Sequence, residues 1–241
     1  MNFFRLCLIL FPFFLSCNEN HFDLAKESSF HRYDFQSSDS IPANKNNPFD
    51  RVGKIHNEIL FSYYYNDNYP STIPEIITTV TNIANMTQSF RVLIKEIPYN
   101  FCSTERVVYI ASRLESCQNE IIDASLESIE AKESLDNFIS SFLFLCNSQE
   151  DYSSIHDYVV SYENEVLENA KYSEKEKKVL LITTSIARYS AYAKKKKPKK
   201  NKDPEWALMV GNILASVDGA DESEEEAIMR AVVTGIVENK L

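Results

Sequence analysis

Asn47-Pro48-Phe49-Asp50-Arg51-Val52-Gly53-Lys54-Ile55-His56-Asn57-Glu58-Ile59-Leu60 is the stretch whose reading decides the fold. Asn caps, Pro sits at the first helical position with its fixed φ, and Asp falls in the first turn, where the helix dipole favours negative charge. Val52, Ile55, Ile59, Leu60 and Tyr63 then recur at the 3.6-residue period of one helix face. The period predicts a helix that stops near residues 64–67, ahead of Pro70.

The same pattern continues outward from this stretch. Ile73-Pro74-Glu75 opens a second helix, with Ile76, Ile77, Val80, Ile83 and Met86 on its inner face. Residues 103–146 hold one or two more. Their inward candidates are Val107, Ile110, Leu114, Ile121, Ile122, Leu126 and Ile129, followed by Phe138, Phe142 and Leu145. Another helix fits 149–169. Ser173-Glu174-Lys175-Glu176 is a capping box for the next, which runs to about Ala193. Asp203-Pro204-Glu205 starts a helix through Trp206, Val210 and Leu214, and Ser223 with Glu226 caps the last. Residues 90–101 carry β-branched side chains and read as extended. Only four Gly occur, fewer than a turn-rich β fold wants. The expectation is an all-α, irregular bundle of about six to eight helices over residues 47–241.

The amino terminus reads as an address. Arg5 supplies a positive charge, Leu8–Leu15 is apolar apart from Pro12, and the run ends in Phe14-Leu15-Ser16-Cys17. That is the lipobox pattern: apolar residues, a small residue, then the cysteine whose thiol takes a diacylglycerol. The apolar run is too short to span a bilayer, which takes ~20 residues. Residues 1–16 are therefore expected to be a signal peptide. Cys17 is expected to be the lipidation site, carrying acyl chains such as palmitate and anchoring the chain to a membrane. Residues 17–46, rich in Ser, Asn, Asp and Lys, read as a flexible tether. The expected location is the bacterial cell envelope, with the outer membrane as the favoured membrane.

Composition excludes some functions. The formal charge is −10, and loss of Arg5 with the signal peptide makes the body one unit more acidic. General nucleic-acid binding needs the opposite sign, so no nucleic-acid partner is expected. The basic run Lys194–Lys197, Pro198, Lys199, Lys200 and Lys202 then reads as a solvated loop between helices near 194–202, with anionic lipid headgroups as its alternative partner. After processing, Cys102, Cys117 and Cys146 remain beside Cys17, and they read as small buried hydrophobes, with Cys102–Cys117 the closest possible pair. No Cys/His metal spacing, phosphate loop or nucleophile elbow is present, so no metal, cofactor or catalytic residue is assigned.

The 47–60 stretch resembles a motif of uncharacterised Bacteroidetes lipoproteins, in which an Asn-Pro-aromatic-Asp start leads to a Gly and a His-Asn pair. Ser185-Ile186-Ala187-Arg188-Tyr189-Ser190-Ala191-Tyr192 resembles a second block of the same proteins. The resemblance runs over about residues 47–240. It implies a location and a source, not an activity, and the C-terminal end here is poorer in Gly and Ala than in that family.

Four residues stand out as possible binding positions: Asp50, His56, Asn57 and Arg188. His56 lies on the apolar stripe, four residues from both Val52 and Leu60, so it reads either as a core histidine or as a metal ligand or general base with Asn57 or Asp50 nearby, although Asp50, six residues away, is off the i, i+3, i+4 ladder. Arg188 reads as a buried structural ion pair, as a snorkelling surface arginine, or as an anchor for a carboxylate or an anionic ligand. Gly53, inside a helix, reads as a point of close helix approach. The expected function is a non-enzymatic binding or structural protein with an unidentified protein or ligand partner. The alternatives are an envelope enzyme whose site gathers around His56, Asp50 and Arg188, or an exported effector or immunity-type factor.

Overall fold

Helix after helix follows from residue 50 on. A computed structural model describes residues 42–65, 70–101, 103–148, 151–195 and 210–238. Among these are ten helices and no strand: α1 Asp50–Tyr65, α2 Ile73–Met86, α3 Gln88–Leu93, α4 Thr104–Ala111, α5 Leu114–Ser125, α6 Ile129–Asn147, α7 Tyr152–Glu168, α8 Glu174–Lys195, α9 Val210–Glu222 and α10 Glu224–Glu238. The chain is an all-α, multi-helix bundle. All the described residues belong to the unit that begins at Asp39; the other unit, Met1–Ser38, lies outside them. So do the signal peptide, Cys17, Cys102, residues 196–209 with most of the lysine run, and Trp206.

There are more helices than the expected six to eight because two segments divide. Residues 103–146 hold three helices. Arg113 breaks the chain between α4 and α5, and Leu126 turns extended before Ser128 caps α6 by accepting from the Ala131 N–H. Residues 90–101, expected to be extended, begin within α3 and extend only after it. These breaks misplace two side chains of the expected inner stripe. Met86 is the last residue of α2 and Ile129 the first of α6, and both stand in solvent. Cys146, not Leu145, takes the inner position at the end of α6.

The start signals of α2, α8 and α10 act as the sequence predicts, whereas α1 begins only at Asp50, so Pro48 precedes its first helical residue, and the Asp203-Pro204-Glu205 start lies outside the described residues. Thr72 and Glu75 form a reciprocal capping box on α2, with Pro74 in its first turn. Ser173 and Glu176 do the same for α8: the Ser173 N–H donates to Glu176 Oε2 (2.8 Å), and the Glu176 N–H to Ser173 Oγ (3.2 Å). Ser223 accepts from the Glu226 N–H, 3.2 Å, at α10.

Burial sorts the helices into a centre and a wrap. Residues 179–193 of α8 and 227–237 of α10 are buried on every side, and α9 nearly so. Helices apolar all round belong inside a core. Around them pack α1 on α8 and α10, α2 and α4 on α10, α5 on α9, and α7 on α8. These outer helices bury one face each: Val52, Ile55, Ile59 and Tyr63 in α1; Ile155, Val159, Tyr162 and Val166 in α7. Each aliphatic side chain so buried contributes roughly 1.5–3 kcal/mol. The contact of α1 with α8 carries the residues singled out above, and α7 packs on the same stretch of α8.

Candidate functional site

The α1–α8 interface is close because of a glycine. A Cβ on Gly53 would lie 2.4 Å from the Ser185 carbonyl oxygen, so only glycine fits. The exposed backbone is used: the Gly53 N–H donates to Ser185 Oγ (3.0 Å), and that hydroxyl donates to the Asp50 carbonyl (3.1 Å).

One turn further along α8 sits Arg188, fully buried. Its Nη2 donates to Asp50 Oδ1 at 2.7 Å and to Glu163 Oε1 at 3.3 Å. Its guanidinium stands 5.4 Å from the Tyr189 ring centre. The Tyr189 hydroxyl donates to the other Asp50 oxygen, 3.1 Å away, and the Tyr152 hydroxyl to the Arg188 carbonyl. Burial would push the guanidinium towards neutrality, but Glu163 and Asp50 outweigh it and raise its pKa. Burial likewise pushes the Tyr152 and Tyr189 phenols up, so both remain protonated donors.

Glu163 is the member that sequence reasoning missed. It is fully buried on α7. Asn44 Nδ2 donates to its Oε2 (2.7 Å) and Asn47 Nδ2 to its Oε1 (2.8 Å). Asn47 also donates to the Leu181 carbonyl and accepts from the Phe49 N–H. The predicted start of α1 is thus real in its chemistry, although the helix proper begins at Asp50. The end of the expected tether is also not loose. Pro42 and Asn44 are buried, and the Asn44 N–H donates to Asp50 Oδ1 at 2.9 Å. Residues 42–49 form a strap across the Asp50–Arg188–Glu163 triad.

His56 and Asn57 lie two turns further down α1, in a second polar cluster. His56 is fully buried, and burial holds its ring down at about 4 although the Asn57 and Asn212 carboxamides beside it favour the proton. It is neutral at pH 7. Asn57 Nδ2 donates to the Tyr189 carbonyl (2.9 Å), and Asn212 Nδ2 to Ser190 Oγ (3.3 Å). The structure therefore joins Asp50 to Arg188, and places His56 and Asn57 apart from them. The His56 ring is fully buried beside the carboxamides of Asn57 and Asn212 and does not open to solvent.

A third cluster was not foreseen. Arg230 on α10 meets Asp218 at 2.8 Å, Glu222 at 2.6 Å and Glu226 at 3.1 Å; Arg106 on α4 meets Asp218 at 2.7 Å. Arg106, Asp218, Glu222 and Arg230, with Ser103, Thr104 and Glu105, line an open cleft of about 450 Å³. Glu226 is drawn away from a capping box at α10 by this cluster, accepting from Tyr99 Oη (2.5 Å) and Ser103 Oγ (3.2 Å). A lone arginine inside the apolar run Ala227-Ile228-Met229-Arg230-Ala231-Val232-Val233 was the legible signal. No group of metal-ligating side chains occurs among the described residues. Cys117 is a buried free thiol whose pKa burial raises, a poor nucleophile.

No protein-family model, characterised protein or solved structure matches the chain.

Proposed function

We propose that the chain is a lipid-tethered protein of the bacterial cell envelope, expected at the outer membrane, whose helical body works by contact as a binding or structural protein. The observation that carries the reading is the run Leu8–Leu15 ending in Phe14-Leu15-Ser16-Cys17. A thiol acylated at that position holds a protein at a bilayer, and several acyl chains hold it firmly where one alone is marginal. The resemblance of residues 47–60 and 185–192 to Bacteroidetes lipoproteins supports the same location.

The polar residues of the body favour contact over chemistry. Asp50, Arg188 and Glu163 spend their charges on each other and on the strap. His56, the candidate general base on α1, is fully buried and neutral, beside the carboxamides of Asn57 and Asn212. The acidic surface and the open charged cleft at Arg106, Asp218 and Glu222 leave the partner to be a protein or a small ligand rather than nucleic acid. The test is labelling with radioactive palmitate in cells: the wild type should incorporate label and sediment with membranes, and Cys17→Ala should do neither. A Cys17→Ala chain still processed and still membrane-bound would refute the tether.

A further inference from the structure

Glu163 is held away from the arginine it pairs with. Its contact with Arg188 is one bond of 3.3 Å, from Nη2 to Oε1. The strap carboxamides reach it more closely, Asn44 Nδ2 at 2.7 Å from Oε2 and Asn47 Nδ2 at 2.8 Å from Oε1. Asp50 takes the same Arg188 nitrogen at 2.7 Å. Two carboxylates thus crowd Nη2, while Nε and Nη1 of this fully buried guanidinium find no acceptor among the described residues. An arginine facing a carboxylate favours its planar fork, with two parallel bonds of ~2.7–2.9 Å. Buried donors of a charged group left unused are costly. The strap therefore competes with Arg188 for Glu163, and in the structure the strap has the shorter bonds.

The strap itself is lightly held. Among the described residues, its ties to the body are the Asn44 N–H to Asp50 Oδ1 (2.9 Å), the two bonds to Glu163, and Asn47 Nδ2 to the Leu181 carbonyl (3.0 Å). Pro42 is buried and Phe49 half-buried, but Lys45, Asn46 and Pro48 are exposed. The turn bonds from the Asn47 N–H to the Asn44 carbonyl and from the Phe49 N–H to Asn47 Oδ1 lie within the strap and move with it. A segment with few buried apolar contacts opens locally, well below the free energy of global unfolding.

We propose that residues 42–49 are a latch with two states, in which the strap lifts as a unit and the freed Glu163 carboxylate moves onto Nε and Nη1 of Arg188 as a bidentate pair. On opening, the Asn44 and Asn47 carboxamides exchange Glu163 for water. The carboxylate exchanges them for the unused side of the guanidinium. Each loss has its replacement, so the two states lie close in free energy while the helical body stays folded. Glu163 is on α7 and Arg188 on α8, so the latch changes the pairing across that seam, and a pull on the chain at Pro42 is carried to it. The device does not depend on acylation of Cys17.

Native-state hydrogen exchange on the purified full-length chain tests the opening. The Asn44, Asn47 and Phe49 amides should share one protection level, roughly a hundredfold or more below that of Val232 in the middle of α10. Protection equal to that of Val232, or three unrelated levels, overturns the latch. An Asn44→Ala/Asn47→Ala variant tests the re-pairing, because it removes the strap's hold on Glu163. Its crystal structure should place the Glu163 carboxylate on Arg188 Nε and Nη1 at ~2.7–2.9 Å. A carboxylate still on Nη2 alone overturns the proposal. So does a double variant that fails to fold, since the body would then need the strap's bonds to stand.

Discussion

The Glu176 carboxylate accepts the Ser128 backbone N–H at 2.7 Å, so the capping-box residue of α8 also holds the start of α6. One side chain serves two helix N-termini, 48 residues apart in sequence. Burial pushes this carboxyl up, but the hydrogen bonds from Ser128 and Ser173 outweigh it and hold it down at about 2, against 4.5 ordinarily. A carboxyl with a lowered folded pKa stabilises fully above its unfolded value, and the contribution disappears as pH falls from about 4.5 towards 2. Glu176→Gln keeps one acceptor oxygen of two. It should cost about 1–2 kcal/mol at pH 7, and the difference from wild type should vanish in urea melts near pH 2. A constant difference across that range would contradict the assignment.

Arg188 is buried between two carboxylates, and removing it strands both. Arg188→Met should destabilise the body by about 3–5 kcal/mol, a fall of roughly 6–20 °C in melting temperature for a domain of this size. The double variant Arg188→Met/Glu163→Gln should recover part of that loss, because the fully buried uncompensated charge is gone. Thermal denaturation of the singles and the double measures this as a coupling energy; strict additivity would mean that the two do not interact.

The strap gives Glu163 a separate readout. Glu163→Gln leaves one oxygen where Asn44 and Asn47 each had their own. Hydrogen exchange at residues 44–49 should rise by roughly tenfold, about 1.4 kcal/mol of local opening, before any change reaches the centre of α10. Unchanged protection of the strap would show that it is held by something other than Glu163.

His56 should titrate far below the ordinary histidine range. Its folded value of about 4, against 6.5, means that the unfolded chain binds the proton first. Stability should therefore fall as pH drops from about 6.5 to about 4. The Cε1 proton in an NMR titration gives the midpoint directly. A midpoint near 6.5 would place the ring in solvent and reopen its use as a base.

Gly53→Ala weighs two opposing effects. Alanine favours the helix by about 1 kcal/mol, while its methyl would collide with the Ser185 carbonyl, backbone that cannot swing aside. Overpacking costs typically about 1–3 kcal/mol, so a net loss is expected, with Ser185 and the Arg188 triad one turn away displaced. A more stable Gly53→Ala protein would show that α1 and α8 are not in contact there.

Much of the fold was legible. Val52, Ile55, Ile59 and Tyr63 were readable as one inward face because the helical period is independent of context. Arg188, between Ile186 and Tyr192 in an apolar helix, was readable only as a choice between a buried ion pair, a surface arginine and a ligand anchor; the sequence did not name its carboxylates. Glu163 was not readable, since a carboxylate on an amphipathic helix looks the same whether it faces water or a buried arginine. Its position between Val159, Tyr162 and Val166 was the only hint. The breaks at Arg113 and at Leu126 were hidden because neither contains Gly or Pro; tertiary packing, not local preference, sets them. Asn44 and Pro42 were read as tether because polar composition does not reveal that two asparagines reach a carboxylate more than a hundred residues away.

The central claim is that Cys17 is the lipid attachment point of this helical body. Mass spectrometry of the amino-terminal peptide of the protein from cell membranes tests it most directly. The account predicts a chain that begins at Cys17 and carries a diacylglycerol thioether, absent from Cys17→Ala. An unmodified Cys17 within an uncleaved chain, or a chain cleaved elsewhere, would contradict it.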